Sequence, residues 1–398
     1  MREIAGKIKR ALVKPRRIAL YGGSFDPPHL GHAAAAETAL AALNPDVLYV
    51  MPALAPPHKP GAALCAPRHR LEMCRLAFSG LPGAQVCGFE FSDGATGFTV
   101  DTVGWLKKGA PEAEIWLIVG QDMLFTLDIW KNAETLLREC RVAALCRADG
   151  QSPGMEDAAR SLRKRFGADV TLLPHSPVEI SSSRLREALP LGGGGEYLDS
   201  RVLGYVMKHG LYGASTECAY LRALAQSVLD KERWLHTLGV EQTAYTLALR
   251  WGADSGHARA AALMHDITKT GQNQLKLCEK YGILLSGFER EHPKLLHAMT
   301  AAAFAKTVGM PRDIYDAVRW HTTGRAGMGL LEKIVFLADY TEPFREEMAG
   351  LETLRKLAYT DLDGAMLSAL TMKIDHVRAR GSTPHPSQLQ AWEYFGAC

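Results

Sequence analysis

Residues 21–32 read "YGGSFDPPHLGH", and the eleven that follow read "AAAAETALAAL". The second stretch is strongly helix-forming. The first ends an apolar run, "RRIALYG", with the composition of a strand. Two glycines let the backbone turn sharply there and approach a ligand closely. A helix starting near Gly31 aims its unpaired N–H groups and its positive dipole end at the same place. That is an anion site. His29 and His32 add donors suited to a phosphate. A strand, an anion site and a helix in this order point to a parallel α/β sheet.

The alternation continues outward from this stretch. "DVLYVMPA", "AQVCGFEF", "AEIWLIVG", "RVAALCR" and "DVTLLPHS" read as further short strands. Helical stretches at 31–43, 67–78, 98–108 and 154–166 separate them. Such sheets bind ligands at the carboxyl ends of their strands. After "KHGLYGAST" (208–216) the pattern changes, and nearly everything from 217 onward carries helical periodicity. The fold class is therefore an α/β, Rossmann-like parallel sheet followed by an all-α domain. The boundaries fall at 1–16 for a basic extension, 17–213 for the first domain and 217–398 for the second. "LGGGG" (191–195) reads as a loop within the first domain.

A chain of 398 residues suits two domains. Its formal net charge is +3, and its one short basic stretch is "KIKRALVKPRR". With no basic stripe, no nucleic-acid partner is expected. No apolar run reaches the ~18 residues of a membrane span, so no membrane partner is expected either. Eight cysteines are scattered without Cys-x-x-Cys, which points to reduced thiols in a cytoplasm. The oligomeric state is not legible.

"GGSFDPPHLGH" resembles the signature of the nucleotidylyltransferase superfamily, whose His-x-Gly-His binds the phosphates of ATP. "ISSSRLR" (180–186) is similar to its second signature, with Ser183 for Thr and Leu185 for Ile. There Ser182 can cap a helix and Arg186 can clamp a phosphate. "MPALAPPHK" (51–59), "FTVDT" (98–102), "VGQDML" (119–124) and Trp130 resemble the bacterial nicotinate-nucleotide adenylyltransferases. The resemblance implies transfer of an adenylyl group from ATP, with Mg²⁺, to nicotinate mononucleotide. It implies nucleotide contacts at Gly22, Gly23, Ser24, Phe25, His29, His32, Lys59, Thr99, Asp122, Trp130, Ser182 and Arg186. Trp130 would stack on the pyridine ring. His29 is assigned to phosphate binding and His32 to the developing charge, an order the motif leaves open. A different phosphorylated acceptor, such as a phosphopantetheine, is disfavoured by "TVDT" and Trp130.

In the helical half, His236, the pair His265–Asp266, His297, His321 and Asp339 each lie in an apolar or helical context. Imidazole with carboxylate suits Fe, Mn, Zn or Ni. Their order resembles the binuclear branch of the HD phosphohydrolases, and "HTTGRAGMGLLEKIVFLADYTEP" resembles a bacterial subfamily that splits diadenosine tetraphosphate into two ADP. The resemblance implies a binuclear transition metal, iron foremost, with manganese or another possible in its place. His236, His265, Asp266 and Asp339 would hold one ion. His297 and His321 would hold the other, with Asp266 bridging and catalytic. Arg325 and Lys269 are candidates for the polyphosphate chain. His257, His292, His376 and His385 read as surface residues. A non-catalytic nucleotide sensor is the alternative, disfavoured by the complete ligand set.

Overall fold

The structure is a computed structural model that describes residues 15–54, 64–147, 154–269, 273–346 and 348–397. Lys59 and most of the basic extension lie outside the described residues. Contacts divide the chain into two compact units: Met1–Leu185 with Tyr197–Val202, and Arg186–Glu196 with Leu203–Cys398.

In the first unit, strand and helix alternate along the chain. The order is β1 (Arg17–Gly23), α1 (Leu30–Leu43), β2 (Val47–Pro52), α2 (Pro67–Phe78), β3 (Ala84–Val86) and α3 (Thr99–Gly109). Then come β4 (Glu114–Val119), α4 (Gln121–Thr126), α5 (Ala133–Glu139), β5 (Arg141–Arg147), α6 (Met155–Phe166) and β6 (Val170–His175). All pairings are parallel, in the spatial order β3-β2-β1-β4-β5-β6. This is the doubly wound order, and its direction reverses between β1 and β4. Alternate residues of β1 serve opposite faces. Ile18 and Leu20 join a core with Val103, Leu117 and Leu124. Ala19 joins one with Ala36, Ala39, Leu48 and Ile118. Small buried residues on α1 (Ala35, Ala36, Ala39) let that helix lie close to the sheet.

One expected strand is shorter than its sequence suggests. Of "AQVCGFEF", only Ala84–Val86 pairs with β2. Gly88 starts a 3₁₀ turn over Phe89–Phe91, which buries Glu90 instead of extending the edge strand.

The chain continues through α7 (Ser182–Ala188), α8 (Ser200–Lys208), α9 (Cys218–Val228), α10 (Lys231–Trp251), α11 (Ser255–Met264) and α12 (Gln274–Tyr281). It ends with α13 (Gly287–Glu291), α14 (Leu296–Val308), α15 (Arg312–Trp320), α16 (Leu330–Thr341), α17 (Leu351–Leu357), α18 (Leu362–Ala379) and α19 (Pro386–Gly396). Contacts place the glycine stretch with the helical unit. A Cβ on Gly192 would meet Ala223 at 2.7 Å, and the Ser227 hydroxyl donates to the Gly192 carbonyl at 2.9 Å. Asp230 and Asp254 cap α10 and α11 by accepting from the N–H groups of Arg233 and His257. Helices α10, α11, α14, α15 and α16 pack pairwise into the core that carries the six candidate ligands. No described helix is long and apolar enough to cross a membrane.

Candidate functional site

In the first unit, the crevice forms where β1 and β4 diverge. A cavity of about 320 Å³ is lined by Gly22 and Gly23 at the end of β1, Ser24 after it, Leu117–Val119 of β4, Thr99 at the start of α3, and Trp130. Four separated motifs of the sequence thus converge on one cavity. Gly23 has a packing reason as well as a ligand one: a Cβ there would lie 3.1 Å from the Phe25 ring.

His29 precedes the first turn of α1, and its N–H donates to Nδ1 of His32 at 3.2 Å. That bond leaves Nε2 as the donor nitrogen of a neutral His32. The two rings lie 3.7 Å apart between centroids, tilted by 31°. Gly31 is required between them, since a Cβ would come within 3.0 Å of the His29 ring and 3.4 Å of the Val178 carbonyl. Burial lowers His29 to about 4 and holds His32 well below the usual imidazole range. Both therefore act as neutral rings. The buried Nδ1 of His29 has no hydrogen-bond partner, which leaves a position for a ligand to fill. Phe25 is fully buried, with its ring edge-on to His32 at 4.9 Å. It backs the histidine and offers no open surface.

Ser182 does not cap α7. Its hydroxyl donates to the Pro27 carbonyl at 2.9 Å, and Ser181 instead accepts the Arg184 N–H at 3.3 Å. Ser182 thereby ties the second signature to the first. Arg186 is half-buried on α7, and Asp122 is exposed in the first turn of α4 without lining the cavity.

Three residues here carry no motif. Arg70 is 1% exposed and donates to the carbonyls of Ser24, Ala53, Leu54 and Cys65 at 2.6–3.2 Å. It fastens the glycine turn to the end of β2. Glu90 lines the cavity and accepts from Thr102 at 3.0 Å, while burial raises its pKa. Lys131 also lines it, with Nζ 4.0 Å from the Phe98 ring centroid.

The second unit gathers its six expected ligands around Asp266. His265 and His321 follow the last turns of α11 and α15, while His236, His297 and Asp339 lie on α10, α14 and α16. Nε2 of His236 is 3.3 Å from Nε2 of His265 and 3.1 Å from Oδ1 of Asp339. Nε2 of His265 is 3.7 Å from Oδ2 of Asp266. On the other side, Oδ1 of Asp266 is 3.4 Å from Nε2 of His297 and 3.8 Å from Nε2 of His321. Two ligand triads result, His236–His265–Asp266 and Asp266–His297–His321, sharing the aspartate.

The opposite nitrogens explain the ring orientations. Nδ1 of His265, His297 and His321 donates to the carbonyl three residues earlier, at 2.6–2.7 Å. His236 Nδ1 meets Glu342 at 3.1 Å. The Nε2 lone pairs of His265, His297 and His321 are thus turned inward, as metal binding requires, while Nε2 of His236 points at Asp339. Burial keeps His265, His297 and His321 below the usual imidazole range. Burial pulls His236 the same way, yet Asp339 and Glu342 hold it at about 9. For Asp266 burial acts upward, but the surrounding histidines and Lys269 keep it ionised. Its buried Oδ1 has no hydrogen-bond partner. A buried anionic oxygen between two imidazole lone pairs fits a cation.

Several expectations change here. Arg325 is locked on Glu332 by two 2.8 Å bonds. Lys269 donates to Asp266 at 2.8 Å. His292 and His385 are half-buried and line a cavity that also contains Thr322, Arg345 and Lys373; His376 lines it too but is exposed, as expected. His257 does lie outside it, paired with Asp313 at 2.7 Å. Glu342 and Arg345, just after α16, and Lys373 on α18 escape sequence reasoning because single charged residues carry no spacing signal.

Comparison with known proteins divides the chain in the same way. Residues 20–188 match the cytidylyltransferase-like family, and residues 233–343 match the HD domain. The chain is 30% identical over 354 residues to a "Probable nicotinate-nucleotide adenylyltransferase/Ap4A hydrolase" of Mycoplasma pneumoniae, covering 86% of this chain and 95% of that protein. A "Probable nicotinate-nucleotide adenylyltransferase" of Gemmatimonas aurantiaca is 36% identical over 202 residues, 49% of this chain and 92% of that one. A "Bis(5'-nucleosyl)-tetraphosphatase, symmetrical" of Halalkalibacterium halodurans is 37% identical over 172 residues, 42% of this chain and 91% of that one.

Proposed function

The chain belongs to the family of fused nicotinate-nucleotide adenylyltransferase/Ap4A hydrolases, and from that premise we propose that it is a bifunctional cytoplasmic enzyme of dinucleotide metabolism. Residues 17–213 join ATP and nicotinate mononucleotide into nicotinate adenine dinucleotide and pyrophosphate. Residues 217–398 hydrolyse diadenosine tetraphosphate to two ADP. The observation that supports this reading is that each unit has a phosphate-handling constellation beside a cavity of nucleotide scale.

In the first reaction an oxygen of the acceptor's 5′-phosphate attacks the α-phosphorus of ATP, and the bond to the pyrophosphate oxygen breaks. No covalent enzyme intermediate is needed. Catalysis consists of holding two anions in line and stabilising the charge that leaves. The N-terminus of α1, the neutral donors of His29 and His32, and Arg186 meet the triphosphate, which arrives with Mg²⁺. Trp130 and Thr99 hold the pyridine ring in the cavity. Lys59, outside the described residues, is a further candidate for the phosphates.

In the second unit, His236, His265, Asp266 and Asp339 would hold one metal ion, and Asp266, His297 and His321 another. Two such ions supply Lewis acidity at a phosphoanhydride, with iron the first choice and manganese the next. The chain's own contribution is orientation. Backbone carbonyls fix three imidazoles, Glu342 fixes the fourth, and Lys269 and Arg233 balance the charge of Asp266.

The test is a product assay on the purified chain, with ATP plus nicotinate mononucleotide in one arm and diadenosine tetraphosphate plus Fe²⁺ or Mn²⁺ in the other. Nicotinate adenine dinucleotide and ADP are the expected products. Absence of either removes the activity of that unit.

A further inference from the structure

A second cavity of the helical unit, of about 500 Å³, is lined by Glu241, Gln242 and Tyr245 of α10, Arg222 of α9, Arg259 of α11, and Phe344. At about 3.6 residues per turn, these α10 positions lie on the side of the helix opposite His236. The cavity shares no lining residue with the one that holds Thr322 and Lys373. None of these six residues is a candidate metal ligand.

The charges of this wall do not balance. Glu241 is 3% exposed, and it accepts from Nε and Nη2 of Arg222 at 3.0 and 2.7 Å and from Nε of Arg259 at 2.9 Å. One buried carboxylate thus orients two guanidiniums, and among the described lining residues one positive charge is left over. Nη1 of Arg222 and both Nη atoms of Arg259 donate to no group among the described residues. Guanidinium forks held in place in this way suit an oxyanion. A carboxylate would offer two oxygens to these three nitrogens, whereas a phosphate monoester offers three. The rest of the wall is aromatic. Tyr245 and Phe344 are 39% and 60% exposed, and the Arg259 guanidinium stands 5.9 Å from the Tyr245 ring centroid. Phe344 is fixed from behind. Its N–H donates to Glu342 at 2.6 Å, and Gly239 of α10 lets it approach, since a Cβ there would come within 3.0 Å of the Phe344 ring. Exposed rings beside an unbalanced cation fit a flat group that carries an anion.

We propose that this cavity binds a phosphate monoester carrying a flat ring: the phosphate meets Arg222 and Arg259, and the ring lies against Tyr245 and Phe344. The site is separate from the metal cluster and stands whether or not the hydrolase reading does.

Titration calorimetry on the full-length chain tests it, with phenylphosphonate as the probe because its C–P bond resists hydrolysis. Arg259→Gln should weaken one binding event about tenfold or more, as charge-assisted hydrogen bonds are lost. Tyr245→Ala should weaken phenylphosphonate severalfold and leave inorganic phosphate unchanged, and Tyr245→Phe, which keeps the ring, should restore the affinity. Benzoate, with two oxygens, should bind the wild type about tenfold more weakly than phenylphosphonate. Neither residue belongs to the metal cluster or to the first unit, so only an event in this cavity responds to both variants. Tyr245 is exposed and its loss leaves Glu241 and both arginines in place, which guards against a folding artefact in Arg259→Gln. Phenylphosphonate binding that is absent, or equal in wild type, Arg259→Gln and Tyr245→Ala, overturns the site. A loss in Arg259→Gln alone overturns the ring contact, and benzoate as tight as phenylphosphonate overturns the assignment to a phosphate.

Discussion

At the scale of single residues, charge and protonation decide what each site accepts. Among the described residues, Lys131 is the one basic side chain lining the first unit's cavity. A pyridine carrying a carboxylate should therefore be preferred to one carrying an amide. Lys131→Gln should narrow the ratio of kcat/KM between nicotinate and nicotinamide mononucleotides on the order of tenfold, as one charge-assisted hydrogen bond is lost. Lys131→Arg should largely keep it, and an unaltered ratio in Lys131→Gln removes the side chain from recognition. His29 sets a pH dependence. Its native pKa is near 4 against 6.5 when free, because burial disfavours the charged ring. Above pH 6.5 it is neutral folded or unfolded and contributes no slope. As pH falls from 6.5 to 4, only the unfolded chain takes the proton, so stability falls by up to roughly 3 kcal/mol. Denaturant titrations at pH 7 and pH 4.5 should show this loss in wild type and less of it in His29→Gln.

At the scale of elements, the ends of strands and helices matter more than their middles. The glycine turn after β1 could not hold its shape on glycines alone. Arg70, from α2, donates to four carbonyls around it. Arg70→Met keeps much of the volume and leaves those carbonyls buried without a donor. A loss of about 3 kcal/mol is expected, from several unsatisfied groups at ~1–3 kcal/mol each partly relieved by relaxation. Calorimetry should record the lower Tm, and the KM for the acceptor should rise because Ser24 and Ala53 line the cavity. In the helical unit, His265 and His321 directly follow α11 and α15. Each imidazole is locked there by a carbonyl of the preceding turn. Two helix ends and three helix faces supply six ligands.

At the scale of the whole molecule, the prediction concerns independence. Asp266 faces both ligand triads. Asp266→Ala should therefore empty or scramble both metal positions, while His297→Ala should spare the triad of His236, His265 and Asp266. Metal analysis after anaerobic purification reads the difference directly. Neither change should alter the synthesis of nicotinate adenine dinucleotide. An Asp266→Ala chain that retains both metals contradicts the bridging role, and one that loses the transferase activity contradicts the independence.

The sequence by itself determined the alternation of strands and helices in the first half and the helical character of the second, and it named the six candidate ligands, Asp266 among them. These are local signals: apolar period, a glycine pair, and histidines in helical context. Contacts divide the chain between residues 185 and 203 and not at the expected 213–217. The family resemblance implied that Gly22, Gly23, Thr99 and Trp130 meet at one site, and all four line one cavity. The sequence did not reveal that "AQVCGFEF" turns after three paired residues, or that Ser181 and not Ser182 caps α7. It also missed Arg70, Glu342, Arg345 and Lys373 and misread His292 and His385. A lone charged or aromatic residue carries no period, and its role depends on partners distant in sequence. Arg70 reaches Ser24 across 46 residues and Glu342 reaches His236 across 106. Only the packed chain brings such partners within hydrogen-bonding distance, so their roles are decided by tertiary structure.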